Sequence, residues 1–366
     1  MSIVIFILVL IILILVHELG HFLFAKWCGI RVDEFGLGFP PRIWVYKPKG
    51  SETLYSINAI PFGGFVKIYG EDYDAVETEA DKKKSFVYQA KWKQTLVLVA
   101  GVFFNILLAW LLFSISFMGG VNYSPDGRYA DRVEGTGVVI SNILEGSPAS
   151  VAGLQAGDKI ITASSVNTSV KGDTLTPEGV TSIITESGGD DVHMILNRGG
   201  KDINVSISPS EDIVKGAWAV GISMIYAGTL KLPIHLAIIE GARITGEITW
   251  AIVTGFADLI KDAVTGKGSM ASVVGPVGIA GLVGDAAGLG FVSLISFMAM
   301  ISLHLAVLNL IPFPALDGGR ILFVIIEKIK GSPMNAKIVN MVNLSGFLLL
   351  ILFLLFVTYK DIVRLF

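Results

Sequence analysis

Residues Val16-His17-Glu18-Leu19-Gly20-His21 lie inside an otherwise apolar run from Ile3 to Trp27. A run of that length can cross a bilayer, which takes about 20 apolar residues. A charged side chain near the middle of such a span costs roughly 2.5–3.5 kcal/mol on insertion scales. Two histidines and a glutamate there have to be paired, ligated or functional, and their spacing selects among these. His17 and His21 are four residues apart, so they share one helical face and can ligate one metal ion. Glu18 lies beside that face, placed to take a proton from water on the metal. A lone histidine on an apolar helix face is commonly a core residue bonded to a backbone carbonyl. Three ionisable groups together in hydrocarbon need one shared explanation.

The rest of the chain supports a membrane setting. Its 366 residues are 52% hydrophobic and 16% charged, with a mean hydropathy of +0.68. That composition describes a polytopic membrane protein with a soluble portion. A net charge of −3 argues against a nucleic-acid partner. The single cysteine, Cys28, excludes an internal disulfide and a cysteine-rich metal site. No basic segment precedes the first apolar run and no small-residue cleavage site follows it, so Met1 onward is expected to be retained as the first span.

Four runs are long enough to span, at 3–27, 96–118, 291–311 and 342–358. The loop 29–94 is rich in Lys and Arg, including Lys82-Lys83-Lys84, and 312–341 adds Arg320, Lys328, Lys330 and Lys337. The positive-inside rule puts both loops in the cytoplasm. Both termini and the segment 119–290 then face outward. The expected division is a membrane part at 1–121, a water-soluble domain at 122–215, an interfacial segment at 216–290 and a second membrane part at 291–366.

Within the soluble segment, Gly137-Val138-Val139-Ile140 reads as a strand and Ser147–Leu154 as a turn feeding a short helix. Residues 192–198 and 203–207 read as a hairpin around Gly199-Gly200. Between 230 and 265, Glu240, Arg243 and Glu247 recur at helical spacing among apolar residues, which predicts an amphipathic helix at the outer interface. The Gly-rich stretch 273–281 predicts a loop or half-helix near the bilayer.

A catalytic zinc site needs three protein ligands, and the His-Glu-x-x-His motif supplies two. His304 in the third span and Asp317 just beyond it are the candidates for the third. Asp317 is preferred. Pro312 and Pro314 break the helix before it, and irregular backbone at membrane depth is tolerated only where it is buried in protein or lines a cavity. Gly318-Gly319 permits close backbone approach. The alternative is a plain helix-ending turn in which Asp317 pairs with Arg320.

The motifs now carry resemblances. Ser147-Pro148-Ala149-Ser150-Val151-Ala152-Gly153-Leu154-Gln155-Ala156-Gly157-Asp158 resembles the signature of bacterial PDZ domains. That resemblance implies a peptide groove beside Val138, Val139 and Ile140, where a ligand adds as an extra strand, or a domain that binds nothing and acts as a size filter. His17–His21, together with Asn309-Leu310-Ile311-Pro312-Phe313-Pro314-Ala315-Leu316-Asp317-Gly318-Gly319, resembles the site-2 protease family of intramembrane zinc metalloproteases. The PDZ insertion fits its bacterial regulator-of-sigma-E protease (RseP-like) branch. Gly101-Val102-Phe103-Phe104-Asn105 is similar to the family's Gly-Pro-x-x-Asn, with Val102 in place of proline, and Gly275-Pro276-Val277-Gly278 is a further match. One PDZ domain is present where some relatives carry two.

The resemblance implies a polytopic α-helical membrane protein with about four spans, an extracytoplasmic α+β PDZ domain and a membrane-associated β-hairpin at 54–69, in the bacterial inner membrane. It implies that His17, His21 and Asp317 hold zinc and that Glu18 acts as general base and then proton donor. Asn309, with Pro312 and Pro314, would hold the substrate backbone. Gly63 and Gly64 would lie on a hairpin edge that pairs with an unwound substrate helix. Substrates would be single-span membrane proteins already trimmed outside, such as anti-sigma factors or signal-peptide remnants, cut within or near the span on the cytoplasmic side. The lipid bilayer is the other partner. A metal transporter would need polar residues through several spans, and spans two and four offer almost none. An inactive zinc binder would need no base beside its ligands.

Overall fold

A computed structural model describes residues 2–71, 79–144, 146–166, 168–172, 175–214, 216–266 and 274–364. The chain divides into two compact units, residues 1–115 with 236–366, and residues 116–235. In chain order the first unit opens with α1 (Ser2–Trp27), β1 (Val32–Tyr46), β2 (Leu54–Ile68), α2 (Glu79–Lys82) and α3 (Lys91–Gly119). The second contains β3 (Val121–Tyr123), β4 (Val133–Ile143), α4 (Pro148–Val151), β5 (Lys159–Ser164), β6 (Ser169–Lys171) and α5 (Pro177–Glu186). It continues with β7 (Val192–Arg198), β8 (Lys201–Ile207), β9 (Ser210–Val214), β10 (Ala217–Ala219) and β11 (Ile222–Leu230). The first unit resumes with α6 (Ile234–Thr265), α7 (Pro276–Gly288), α8 (Phe291–Leu310), α9 (Asp317–Lys330) and α10 (Ala336–Arg364).

Four helices are long and apolar enough to cross a membrane: Ser2–Trp27, Lys91–Gly119, Phe291–Leu310 and Ala336–Val363. The first three bury a cluster that includes Val9, Leu13, Ala109, Ala299 and Leu303. The first two touch backbone to backbone at Gly20, where an added methyl would overlap the carbonyl oxygen of Ala100. Only glycine allows that approach.

The segment 230–265 is helical from Ile234, but it is not a plain surface helix. Glu240 is fully buried and paired with Arg243, and Trp110 Nε1 of α3 donates to the Ile238 carbonyl. Gly241 sits against Ser114, leaving no room for a methyl. The first turns therefore pack along the second span. Of the Gly-rich stretch 273–281, Val273 lies outside the described residues and Pro276 opens α7. Thirteen residues rise about 20 Å, a half-helix. Its first turn is capped from a distance, because Asp361 of α10 accepts from Gly275 N at 3.1 Å and Gly278 N at 2.9 Å.

The expected hairpin at 54–69 is corrected. Residues 54–68 form one long strand whose partner is upstream, β1. The register runs from Val32↔Ile68 and Leu37↔Gly64 to Trp44↔Ile57 and Tyr46↔Tyr55, and residues 34–37 also pair with 54–57. Residues 34–37 thus lie between 64–67 and 54–57. Glycine permits this crowding, since a methyl at Gly36 would overlap the Phe65 ring and lie 2.9 Å from Ser56 Oγ. Among the described residues no further strand pairs with 64–68, so that arm is an edge. The opposite arm carries exposed Ile43, Trp44, Val45 and Tyr46, with Trp44 and Tyr46 stacked at 5.9 Å.

The second unit also differs from its expected bounds of 122–215. β11, at 222–230, lies inside its sheet, ordered β3-β11-β4-β5-β7-β8 with β6 on β5. The strand-forming residues 216–230 therefore belong to this unit and not to an interfacial segment. The core includes Val138, Ile140, Ile160, Ile183, Met194 and Leu196. Gly199 and Gly200 both have positive φ, at 58° and 84°, and close the tight β7–β8 turn. Asp158, buried, accepts from Arg198 Nε and Nη2 at 2.7 Å each and from Gln155 N at 2.9 Å.

Glu34 holds the bent sheet together. Burial opposes its ionisation, but hydrogen bonds from Arg42 and from Ser56 Oγ (2.6 Å) outweigh that and keep its carboxyl below the ordinary value of 4.5. A depressed folded value means the unfolded chain takes up the proton first as pH falls, so Glu34 stabilises the sheet above 4.5 and that contribution is lost below it. The protection factors of β1 and β2 amides against hydrogen exchange should fall as pH drops from about 6 to about 3, and Glu34→Gln should remove that acid sensitivity.

Candidate active site

His17 and His21 share a face of α1 because they are one turn apart, and both are buried. Asp317 reaches them from the far end of the chain. α8 ends at Leu310, and the Pro312 and Pro314 turn reverses the chain so that Asp317 becomes the first residue of α9. His17 Nε2 lies 3.0 Å from Asp317 Oδ2, His21 Nε2 lies 3.2 Å from the same oxygen, and the two Nε2 atoms are 3.1 Å apart. His304 is not in this group; its Nδ1 is bonded to the Met300 carbonyl of its own helix at 2.9 Å. Arg320 does not pair with Asp317 either. It makes a two-pronged ion pair with Glu71, at 2.8 and 3.2 Å, just past β2.

The donor set fits a zinc ion by its own geometry. Ligands about 2.0–2.1 Å from a tetrahedral centre stand about 3.3 Å apart, close to the 3.0–3.2 Å observed. His21 Nδ1 lies 2.8 Å from the carbonyl oxygen of Val97, so a proton there leaves Nε2 to face the cluster. Small residues on α3 make the space. A methyl at Gly101 would overlap His21 Nε2 and lie 2.7 Å from His17 Cε1.

A pocket of about 220 Å³ opens onto the cluster, lined by His17, Glu18, Asn105, Asn309, Leu316 and Asp317, with apolar walls from Ile14 and Leu305. Asn309 Nδ2 stands 3.5 Å from His17 Nε2. Gly64 on the edge strand packs toward Glu18, since a methyl there would come 3.7 Å from Glu18 Cγ. Gly63 lies beside it, against Ile14 and Phe39. Pro312 and Pro314 are not among the lining residues. Pro314 instead packs under α10, where a methyl at Gly346 would lie 2.5 Å from its Cβ. Their part is to turn the chain. Gly318 and Gly319 are needed for that turn, because a side chain on either would strike the backbone carbonyls of residues 310–313.

A model of peptidase family M50 matches residues 5–353. The chain belongs to that family. As an M50 peptidase it resembles curated relatives along nearly its whole length. The "Putative zinc metalloprotease" of Clostridium acetobutylicum is 35% identical over 363 residues, 99% of this chain and 97% of the relative. That of Brucella suis is 31% identical, covering 99% and 95%. "Zinc metalloprotease RasP" of Geobacillus kaustophilus is 29% identical, covering 100% and 98%.

The second unit corrects one site expectation. Val138, Val139 and Ile140 cannot accept a peptide as an added strand. Their side chains are buried, β11 pairs with them along one edge, and Val138 and Val139 pair with Ile160 and Lys159 of β5 along the other. The open backbone lies one strand over. β3 covers β11 only at 228–230. Residues 224–227 and the first turn of α5 line a cleft of about 620 Å³ that includes Tyr123, Thr176 and Glu178. The motif near Ser147 carries no record of strand order, so strand 222–227 was missed. Val97, Gly101 and Gly20 were missed as site residues too; small residues at one level of the first two spans are the clue.

Gly101→Ala should lower zinc content and peptidase activity together by tenfold or more while the protein still extracts and folds, because the methyl enters the space of both imidazoles. Metal analysis of the purified variant checks this.

Proposed function

We propose that this M50 peptidase is an intramembrane zinc protease that cuts single-span membrane proteins within or near their spans. The observation that carries the reading is the convergence of Asp317, at the start of α9, with His17 and His21 beside Glu18 on an apolar, membrane-length helix. Zinc is the metal, as two imidazoles and a carboxylate suit it and the relatives' names state it. Bound there, zinc would polarise the scissile carbonyl and bring the pKa of water to about 7. Glu18 takes the proton from the attacking water and passes it to the leaving nitrogen. Asn309, on the pocket wall, holds the substrate backbone beside the ligands.

The edge strand 64–68 answers a second requirement. A peptide bond in a helix is shielded from attack, and an unwound segment in lipid needs partners for its N–H and C=O groups. An extended substrate adds to the open edge next to Glu18 and gains those partners there. The Lys- and Arg-rich loops favour an orientation with this side toward the cytoplasm and the β-rich unit outside a bacterial inner membrane. That unit, read as a PDZ domain, binds a peptide along β11 and α5 or excludes proteins with bulky outer domains.

The test is cleavage of a single-span substrate by detergent-purified protein, beside Glu18→Gln, with zinc measured in both. Loss of cleavage by 10²–10⁴-fold with zinc retained is the expected result. Equal cleavage by both proteins would remove Glu18 from the mechanism. Absence of zinc from the unaltered protein, after metal is added back, would remove the site.

A further inference from the structure

Asn105 is fully buried in the middle of α3, where an amide in apolar surroundings costs several kcal/mol unless it is bonded. Its side chain stands 3.3 Å from His17 Nδ1, and its Oδ1 is buried with no partner among the described residues. Its backbone is held in turn, as Ser302 Oγ of α8 donates to the Asn105 carbonyl at 2.8 Å. The two ligand histidines thus meet the same helix. His21 Nδ1 faces the carbonyl of Val97, and His17 Nδ1 faces the side chain of Asn105, two turns further along.

The tautomer decides what Asn105 must do. With its Nδ2 toward His17, the amide donates to Nδ1, the ring proton sits on Nε2, and Nε2 donates to Asp317 at 3.0 Å. In that state Nε2 has no lone pair for a metal. A metal on Nε2 requires the proton on Nδ1, and Nδ1–H then needs an acceptor. Half a turn of the carboxamide about its Cβ–Cγ bond brings Oδ1 to that place. The turn exchanges a buried oxygen without a partner for a buried N–H₂ group without one, so the lone pair at the metal corner is what favours it.

Resting on the zinc reading above, we propose that Asn105 is the positioning residue for His17. Its Oδ1 accepts from Nδ1–H in the metal-loaded protein and keeps Nε2 directed at the ion. The amide and the imidazole change state together as metal enters and leaves.

Three proteins test this: the unaltered chain, Asn105→Leu, which keeps the branched shape without an acceptor, and Asn105→Asp, which keeps an acceptor at the same reach. Zinc affinity is read by chelator competition and the ligand field by the visible spectrum of the cobalt form. Asn105→Leu should bind zinc 10–100-fold more weakly, the usual effect of losing an outer hydrogen bond to a ligand histidine, with an altered cobalt spectrum. Asn105→Asp should bind at least as tightly as the unaltered chain. Unchanged affinity and spectrum in Asn105→Leu would overturn the proposal. So would equal weakening in both variants with unequal thermal stability, since that points to packing alone. If the unaltered chain takes up no metal, the zinc site itself fails, and that result is distinct from both.

Discussion

The structure turns on the requirement that ionisable groups inside apolar helices find their partners within the bundle. His17 and His21 meet it with Asp317, which lies 300 residues from His17 in sequence and about 3 Å away in space. Meeting it fixes much else. α1 and α3 must approach closely enough for Val97 and Asn105 to reach the two imidazoles, and Gly20 and Gly101 permit that approach. The chain after α8 must double back on itself, which the prolines force and Gly318 and Gly319 allow.

Around that cluster, each neighbouring element solves a hydrogen-bonding problem of its own. The sheet of β1 and β2 folds so that an edge to which no described strand pairs runs past Glu18. The ion pair between Glu71 and Arg320 ties the end of that edge strand to the helix that begins with Asp317. Arg320 is partly exposed and such a pair is worth little by itself. Its value lies in joining the strand that passes Glu18 to the helix that begins with Asp317. At the other end of the first unit, Asp361 caps α7 and links the last membrane-length helix to a short one that packs against α1.

The β-rich unit has a strand order that no local pattern announces. Its last strand, β11, pairs with β4 and so occupies the edge that a peptide was expected to use. The open edge moved to β11 itself. The periodicity of 135–210 identified strands, but pairing between residues as far apart as Val133 and Leu230 depends on which edges remain free after the sheet closes. That is decided by packing rather than by local preference.

The sequence by itself determined the membrane class, the number of membrane-length helices and the pair of histidines with their glutamate. Each follows from local chemistry: hydrophobic length, helical period, and the cost of charge in hydrocarbon. It also singled out Asp317 over His304, since broken backbone at membrane depth must line something. The tertiary structure alone decided that His304 bonds its own helix and that Arg320 turns to Glu71. It alone decided that residues 54–68 pair upstream and that Asn105 faces His17. Those outcomes depend on which side chains meet across elements far apart in the chain, and spacing along one helix or strand carries no record of that.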